Sequence, residues 1–337
     1  MSDEHRHDRA ELRRKLELAF RRHLGLEVLV TRAQPLSGGA SAAIWRFDYQ
    51  LSGGNDGLHN AIFRCSADEQ APRFATAIAK HTEAAVQQLC TRANIPVADI
   101  LFCLDDADAL GEGYVMDCVT GETIPRRILR DPALASVRSQ LASQCGRILG
   151  RIHRIDFNTL TGQLDDQSPI KQLDRLEALY RSYGRPSAVF EVAFHWLRDH
   201  RPKDEPLSLV HGDFRNGNLV IDGNGIAAVL DWELCHLGHP VEDLGWLCVN
   251  AWRFGSDLPV GGFGDIETLL DAYQEETGRR VTPEELRYWQ VFGTLRWGII
   301  CLFQANRHTS GQTRSLELAA IGRRVAETEI DLLNLLE

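Results

Sequence analysis

Residues 207–233 read LSLVHGDFRNGNLVIDGNGIAAVLDWE, and in this stretch three short apolar runs are separated by polar segments. Each run has the length of a buried strand. Between the second and third runs, residues 222–225 are Asp-Gly-Asn-Gly, which is typical of a hairpin turn. The polar segment after the first run contains small residues that do not favour strand pairing. The stretch therefore predicts a strand, a polar loop and a β-hairpin.

This arrangement predicts that three polar side chains lie close together. Asp213 and Asn218 belong to the loop before the hairpin, and Asp231 follows its second strand. Asp and Asn supply the oxygen ligands that Mg²⁺ takes, and a carboxylate can also accept a hydroxyl proton. Phosphoryl transfer needs this combination, because its catalysis depends mainly on positioned charge. The alternative is a polar loop beside an ordinary hairpin, but the agreement of residues, spacing and strand context favours a catalytic site.

The spacing His-x-Asp-x-x-x-x-Asn, followed by a hairpin and another Asp, resembles the catalytic loop and metal-binding Asp of protein kinases. The residue after His211 is Gly212, where protein kinases have Arg. HGDFRNGN and LDWE look more like the aminoglycoside phosphotransferase and choline kinase branch of the kinase-like fold, which phosphorylates small molecules. This resemblance implies that Asp213 is the base and that His211 braces the loop. It also implies Asn218 and Asp231 as Mg²⁺ ligands.

The composition is that of a soluble globular protein. The chain has 337 residues, enough for about two domains, with 44% hydrophobic and 25% charged residues. Its net charge of −10 and pI near 5.7 argue against nucleic acid or an anionic membrane as the main partner. The N-terminus is charged, and no 18 apolar residues run together. We therefore expect a cytoplasmic protein without a membrane partner. The sequence does not indicate an oligomeric state.

The eight cysteines are scattered along the chain, without a Cys-x-x-Cys pair. This pattern favours reduced core residues over disulfides. Cys235 and His236, with His239 close by, contain metal-binding side chain types. A zinc site would need further convergent ligands, so we do not expect one there.

The N-terminal third predicts one helix followed by several strands. Residues 8–24 carry apolar side chains at helical spacing and are followed by Gly25. Period-two patterns then predict strands over residues 26–33, 45–49, 60–65, 100–104 and 113–119. A second helix, with apolar positions from Ala75 to Leu89, separates the third strand from the fourth.

The family resemblance implies an α+β, two-lobed protein-kinase-like fold. Its N-terminal lobe has an antiparallel five-stranded sheet with one main helix, and its C-terminal lobe is mostly helical. We predict a nucleotide-binding lobe over residues 1–119 and a catalytic and substrate-binding lobe over residues 120–337. Helical patterns in the second lobe cover residues 134–155, from 171 onward, 186–200, a short helix from Pro240, 262–277, 283–308 and 313–336.

The resemblance implies that ATP and Mg²⁺ are the cofactors and that the first turn of the sheet covers the phosphates. This turn contains Gly38, Gly39, Ala40 and Ser41. Backbone N–H groups in such a turn can bind phosphate, although the turn alone also fits an ordinary hairpin loop. The third strand has Arg64 where most kinases have a Lys, and we expect Arg64, as the only cation there, to hold the phosphates. Glu83 on the following helix is its expected partner, and the alternative is a solvated Glu on the helix flank.

The segment after the last strand of the sheet reads YVMDCVTGE, and the resemblance implies that it binds adenine. The residues concerned are Met116, Asp117, Cys118 and Val119. Met116 would lie behind the adenine, although core packing would also explain it. The main chain of residues 117–119 would lie against the adenine edge. In the C-terminal lobe, Asp243 matches the structural Asp that fastens the catalytic loop, and its alternative role is to cap a helix.

We therefore expect a kinase that transfers the γ-phosphate of ATP to a hydroxyl of a small molecule. Domains of this kind are also found fused to acyl-CoA dehydrogenases, and Arg64 with the DWE motif is more similar to that subgroup than to the antibiotic-modifying one. A hydroxyacyl compound is the acceptor that this similarity suggests. The alternative is a catalytically inactive nucleotide-binding module that acts as a sensor or partner protein. Arg64 in place of Lys favours the module, whereas the intact Asp213 favours the enzyme.

Overall fold

The computed structural model describes residues 3–36, 42–52, 57–66, 77–203 and 205–337, with side chains from Arg9 onward. The chain divides into two compact units, Met1–Thr120 and Gly121–Glu337. The N-terminal unit consists of a sheet with helices, and the C-terminal unit is mostly helical. Each unit has its own buried core.

The described part of the N-terminal unit contains one five-stranded antiparallel sheet, as the resemblance implied. Its strands are β1 Val28–Leu36, β2 Ala42–Leu51, β3 His59–Ser66, β4 Ile100–Cys103 and β5 Gly113–Asp117. Their order in the sheet is β1-β2-β3-β5-β4. Arg64 on β3 pairs with Ile44 on β2 and with Tyr114 on β5, so it lies in the middle of the sheet.

Two helices cover opposite faces of this sheet. Helix α1, Asp3–Leu24, packs Phe20 edge-to-face against Phe47 and Phe102, and Gly25 follows it with φ of 68°. Helix α2, Lys80–Arg92, packs its Ala84 in a cluster with Ile62. Because side chains alternate along a strand, Arg64 lies on the same face of β3 as Ile62 and therefore faces α2. The predicted helical position Ala75 lies outside the described residues.

The stretch 207–233 folds as predicted. Strands β7, Leu219–Asp222, and β8, Gly225–Val229, form the hairpin. The first apolar run becomes β6, Ser208–Val210, which pairs with β9, His236–Gly238, rather than with the hairpin. The chain between β6 and β7 is the predicted polar loop.

Helices make up most of the rest of the C-terminal unit. They are α3 Pro125–Arg130, α4 Ala135–Arg138, α5 Leu141–His153, α6 Pro169–Ser182, α7 Ala188–Asp199, α8 Val241–Leu247, α9 Ile266–Thr277, α10 Pro283–Thr309, α11 Leu316–Gly322 and α12 Val325–Leu336. No helix in the described ranges is both long enough and apolar enough to cross a membrane. All eight cysteines, which lie within those ranges, are free.

Two helices predicted as continuous are each divided in the structure. The pattern over residues 134–155 forms α4 and α5, because Arg138 donates hydrogen bonds to the carbonyl oxygens of Ile128 and Asp131 and so holds α4 against α3. The pattern over residues 313–336 forms α11 and α12. Helix α11 ends at Gly322, which approaches Ala305 of α10 so closely that a Cβ there would lie 2.6 Å from the Ala305 Cβ.

Candidate active site

Asp243, in the first turn of α8, holds the loop that follows β6. Its carboxylate is fully buried and accepts hydrogen bonds from the backbone N–H groups of His211, at 2.8 Å, and Gly212, at 3.0 Å. His153 Nε2 lies 3.2 Å from the same carboxylate. Burial acts to raise the pKa of Asp243, but the hydrogen bonds from His153 and His211 outweigh it, so the pKa lies below its ordinary value. Asp243 is therefore a buried anion that fixes the start of the loop.

The backbone conformation at Gly212 explains why this position is not the Arg of protein kinases. Gly212 has φ of 80°, a region that side chains with a Cβ rarely adopt. A Cβ there would also lie 2.5 Å from the carbonyl oxygen of Leu234. Any larger residue would have to displace the backbone that leads into β9.

His211 connects the loop to the end of the hairpin. Its Nδ1 accepts a hydrogen bond from the backbone N–H of Asp213 at 3.1 Å, so the ring proton lies on Nε2, which donates to the carbonyl oxygen of Leu230 at 3.0 Å. Leu230 in turn donates its N–H to the carbonyl oxygen of Asn218 at 2.8 Å. These contacts bring the residue before Asp231 against the loop. Asp231 itself adopts the left-handed conformation, with φ of 66°.

The Asp213 carboxylate is surrounded by N–H donors. Asn218 Nδ2 donates to its Oδ2 at 2.7 Å and Trp246 Nε1 donates to its Oδ1 at 2.8 Å. Arg215 Nε is shared between the two oxygens at 3.1 and 3.2 Å. Because the Asn218 amide directs its NH₂ group at Asp213, its Oδ1 is the atom that can bind a metal. The loop thus presents one carboxylate and one amide oxygen side by side.

A buried ionic cluster lies between the sheet and α2 in the N-terminal unit. Glu83 Oε1 lies 3.0 Å from Arg64 Nε, and Glu83 Oε2 lies 2.6 Å from Lys80 Nζ. All three residues are at most 6% exposed. Tyr114 donates its hydroxyl to Glu83 Oε1 at 2.9 Å, and burial, reinforced by the charge of Glu83, raises the pKa of this phenol. Arg64 is the only cation expected on its strand, and Lys80 of α2 adds a second cation at the same carboxylate.

The residues expected to bind adenine follow β5. Met116 is buried in the same cluster as Ile62, so the core-packing interpretation of this side chain holds in the structure. The N–H of Asp117 donates to the backbone carbonyl oxygen of Asp99 at 2.9 Å. The N–H of Cys118 donates to the backbone carbonyl oxygen of Asn60 at 3.3 Å. Among the residues that the structure describes, none accepts a hydrogen bond from the N–H of Val119. Gly38, Gly39, Ala40 and Ser41, the expected phosphate turn, lie outside the described residues.

Three side chains in these two clusters were not among the residues predicted from the sequence. Lys80 lies three residues before Glu83, and this i, i+3 spacing on a helix indicates a shared face. Trp246 has the same spacing to Asp243 on α8, so it also faces the loop. Arg215 lies two residues after Asp213. The helical spacing could have identified the first two, whereas only the folded loop shows that Arg215 turns back to Asp213.

The chain was compared with protein families and with curated proteins. The model of the phosphotransferase enzyme family matches residues 32–289, which is more than half of the chain. Acyl-CoA dehydrogenase family member 11 of Gallus gallus is 33% identical over 275 residues, which cover 73% of this chain. The chain spans 34% of that relative's length. The similarity between the two proteins is thus confined to one part of the longer relative.

Solved structures share the fold. A Ralstonia eutropha protein that is provisionally described as an aminoglycoside phosphotransferase has a TM-score of 0.74 and 21% identity, covering 96% of this chain and 97% of its own. A spectinomycin phosphotransferase in complex with ADP and spectinomycin has a TM-score of 0.61 and 13% identity, covering 95% and 98%. These neighbours confirm the kinase-like α+β fold.

Proposed function

Because this chain belongs to the phosphotransferase enzyme family, we propose that it is a kinase that transfers the γ-phosphate of ATP to a hydroxyl group of a small molecule. The observation that carries this proposal is the loop after β6. It holds Asp213 and Asn218 in hydrogen-bond contact and is joined through His211 to the end of the hairpin, where Asp231 follows. A carboxylate, an amide oxygen and a second carboxylate are the groups that phosphoryl transfer requires.

Asp213 acts as the general base. The hydroxyl oxygen of the acceptor attacks the γ-phosphorus, the bond from that phosphorus to the bridging oxygen of ADP breaks, and the hydroxyl proton moves to Asp213. Three N–H donors, from Asn218, Trp246 and Arg215, hold the Asp213 carboxylate. Arg215 makes the longest of these contacts, at 3.1 and 3.2 Å, and the acceptor hydroxyl replaces it.

Asn218 and Asp231 are the metal ligands in this proposal. The donor set fits Mg²⁺, because both residues offer oxygen atoms and the NH₂ group of Asn218 is already committed to Asp213. When bound, Mg²⁺ supplies positive charge that stabilises the phosphate oxygens. His211 and Asp243 hold the loop and do not contact the reacting atoms.

The N-terminal unit binds the nucleotide in this proposal. Arg64 and Lys80 supply two buried cations, aligned by Glu83, for the phosphates. The family resemblance implies that Gly38, Gly39, Ala40 and Ser41, which lie outside the described residues, cover the phosphates. The adenine lies against the main chain of residues 117–119, where the N–H of Val119 is the available donor, since those of Asp117 and Cys118 already bind within the sheet.

The direct test is binding of Mg-ATP, measured by calorimetry beside Mg-GTP and beside ATP with a chelator. We expect Mg-dependent binding of ATP, since Asn218 and Asp231 offer the oxygen ligands that Mg²⁺ takes. Failure of both nucleotides to bind would reject the kinase proposal. Transfer is then tested with amino alcohols, sugars, aminoglycosides and hydroxyacyl-CoA compounds. The last group is included because the relative from Gallus gallus is an acyl-CoA dehydrogenase family member.

Binding of ATP without transfer to any acceptor would favour the competing hypothesis of an inactive module. The feature that supported that hypothesis was Arg64 in place of a Lys. Lys80 Nζ lies 2.6 Å from Glu83 Oε2, so the buried cluster contains a Lys as well as an Arg. The presence of Lys80 weakens the argument that Arg64 in place of a Lys marks an inactive nucleotide-binding module.

We predict that Arg64→Ala raises the Kd for Mg-ATP by about 10- to 100-fold, because a lost charge-assisted hydrogen bond costs about 1.5 to 3 kcal/mol. Arg13→Ala is the matched control. Arg13 lies on α1, which covers the other face of the sheet, and donates to the carbonyl oxygen of Thr31 at 3.4 Å. Titration calorimetry with both variants, after a check of their melting temperatures, measures the difference. Equal affinities of Arg64→Ala and the parent would remove Arg64 from the phosphate site and leave Lys80 as the cation.

A further inference from the structure

Trp246 on α8 contacts the residue to which we assign general-base catalysis. We propose that Trp246 is a positioning residue, which fixes the carboxylate of Asp213 in the orientation that accepts the proton, and that Arg296 holds Trp246 in place. This inference rests on the proposed function, in which Asp213 is the base. It adds a role for a side chain that lies outside the loop and the hairpin.

The first observation is the direct contact. Trp246 is 3% exposed, and its Nε1 lies 2.8 Å from Asp213 Oδ1. An indole N–H can only donate, so the direction of this hydrogen bond is unambiguous. Trp246 follows Asp243 by one helical turn, and Asp243 binds the backbone of the same loop. One short helix therefore anchors both the start of the loop and the side chain of its base.

The second observation is that the Asp213 carboxylate is held on both oxygens. Asn218 donates to Oδ2 at 2.7 Å, while Trp246 donates to Oδ1. Two donors on different oxygens fix the plane of the carboxylate, whereas one donor alone would let it rotate. Asn218 also serves the metal in our proposal, and Arg215 gives way to the acceptor. Trp246 is then the donor whose only contact in the site is the base.

The third observation is the support behind the indole ring. The Arg296 guanidinium lies 4.9 Å from the ring centroid of Trp246, which is a cation–π contact. Its NH1 lies 3.5 Å from Oε1 of Glu242, a buried carboxylate that accepts a hydrogen bond from Gln172 at 2.6 Å through its other oxygen. The Arg296 guanidinium is thereby held over the indole ring by a buried carboxylate that is itself hydrogen-bonded.

The close packing of α8 against α10 limits any movement of the ring. Gly293 of α10 lies beneath Trp246, and a Cβ at that position would be 3.2 Å from the Trp246 Cε3 atom. The indole therefore has Arg296 on its face, the backbone of α10 nearby and Asp213 at its N–H. An indole ring confined in this way keeps the direction of its hydrogen bond, so it loses little conformational entropy when substrates bind.

The contact can be tested without any acceptor by ¹⁵N NMR of the indole N–H groups, because the chain has only seven tryptophans. Loss of one signal in Trp246→Phe assigns Trp246, and loss of another in Trp289→Phe assigns the reference. We expect Asp213→Ala to move the Trp246 signal upfield, since the carboxylate acceptor is gone, and to leave the Trp289 signal unchanged. A Trp246 signal that does not respond to Asp213→Ala would overturn the proposal. If Trp246→Phe folds poorly, the Trp246 signal is assigned by elimination, from single Phe substitutions of the other six tryptophans.

The second test is kinetic, with the acceptor that the panel identifies. Trp246→Phe keeps an aromatic ring and removes the N–H, so we expect kcat to fall about 10- to 100-fold, the loss expected from a misplaced catalytic group, while the KM for Mg-ATP stays nearly constant. Trp289→Phe is the matched control, because Trp289 is equally buried and donates its N–H to His239 at 3.1 Å instead of to the base.

Equal kcat values for the two Phe variants, or an equal loss of Mg-ATP affinity and rate in Trp246→Phe, would show that the ring is merely structural. A parent protein that phosphorylates no acceptor would count against the proposed function instead. In that case the NMR comparison would still decide whether Trp246 holds Asp213.

Discussion

Asp213→Asn is expected to lower the turnover of phosphate transfer by about 10²- to 10⁴-fold, the range that general-base catalysis typically contributes, with the affinity for Mg-ATP nearly unchanged. Asn has the size of Asp, and its single carbonyl oxygen keeps part of the hydrogen bonds that the two carboxylate oxygens accept, but it cannot take a proton at neutral pH. The loop backbone is held by Asp243 and His211, so the substitution leaves the loop intact.

The measurement is single-turnover transfer beside titration with Mg-ATP. Asp222→Asn is the matched control, because Asp222 belongs to the hairpin turn and accepts a hydrogen bond from the Asn224 N–H at 2.7 Å. We expect this control to keep the parent rate. Transfer at the parent rate by Asp213→Asn would show that Asp213 is not the base. A parent rate no faster than slow background hydrolysis would instead favour the inactive nucleotide-binding module.

The parts of the fold that the sequence predicted are those determined by local chemistry. Asp-Gly-Asn-Gly forms the β7–β8 turn because such residues adopt tight turns wherever the flanking runs can pair. Alternation along β3 placed Arg64 opposite Phe63, and the structure accordingly places it on the face that α2 covers. The loop residues Asp213 and Asn218 contact each other because they belong to one short loop. In each case the deciding interactions join residues near each other in sequence.

What the sequence did not predict depends on contacts between distant residues. β6 pairs with β9 and not with the adjacent hairpin, and no pattern within either strand specifies that partner. The break between α4 and α5 follows from the hydrogen bonds of Arg138 to α3 and to Asp131, because the helical pattern itself continues. The contact between Trp246 and Asp213 joins residues 33 positions apart. Helical spacing could indicate that Trp246 faces the loop but not which atom it reaches.

Asp231→Asn is expected to weaken Mg-ATP binding by about 10- to 100-fold and to lower the transfer rate as well, because the substitution removes a negative charge that would attract the Mg²⁺ of Mg-ATP. The substitution is well matched to the site. Asp231 has φ of 66°, and Asn tolerates the left-handed region as Asp does, so the backbone after the hairpin need not change. An effect on affinity then reports the charge and not a displaced strand.

The decisive quantity is the ratio of ATP affinities with and without Mg²⁺, measured by calorimetry for the parent, Asp231→Asn and Asp213→Asn. In the parent and in Asp213→Asn we expect Mg²⁺ to strengthen ATP binding to a similar extent, since Asp213 meets only the acceptor. In Asp231→Asn that ratio should approach one, while binding of metal-free ATP to the Arg64 and Lys80 cluster persists. An unchanged ratio in Asp231→Asn would remove Asp231 from the metal site. Equal losses in both variants would show that the two aspartates do not have separate roles.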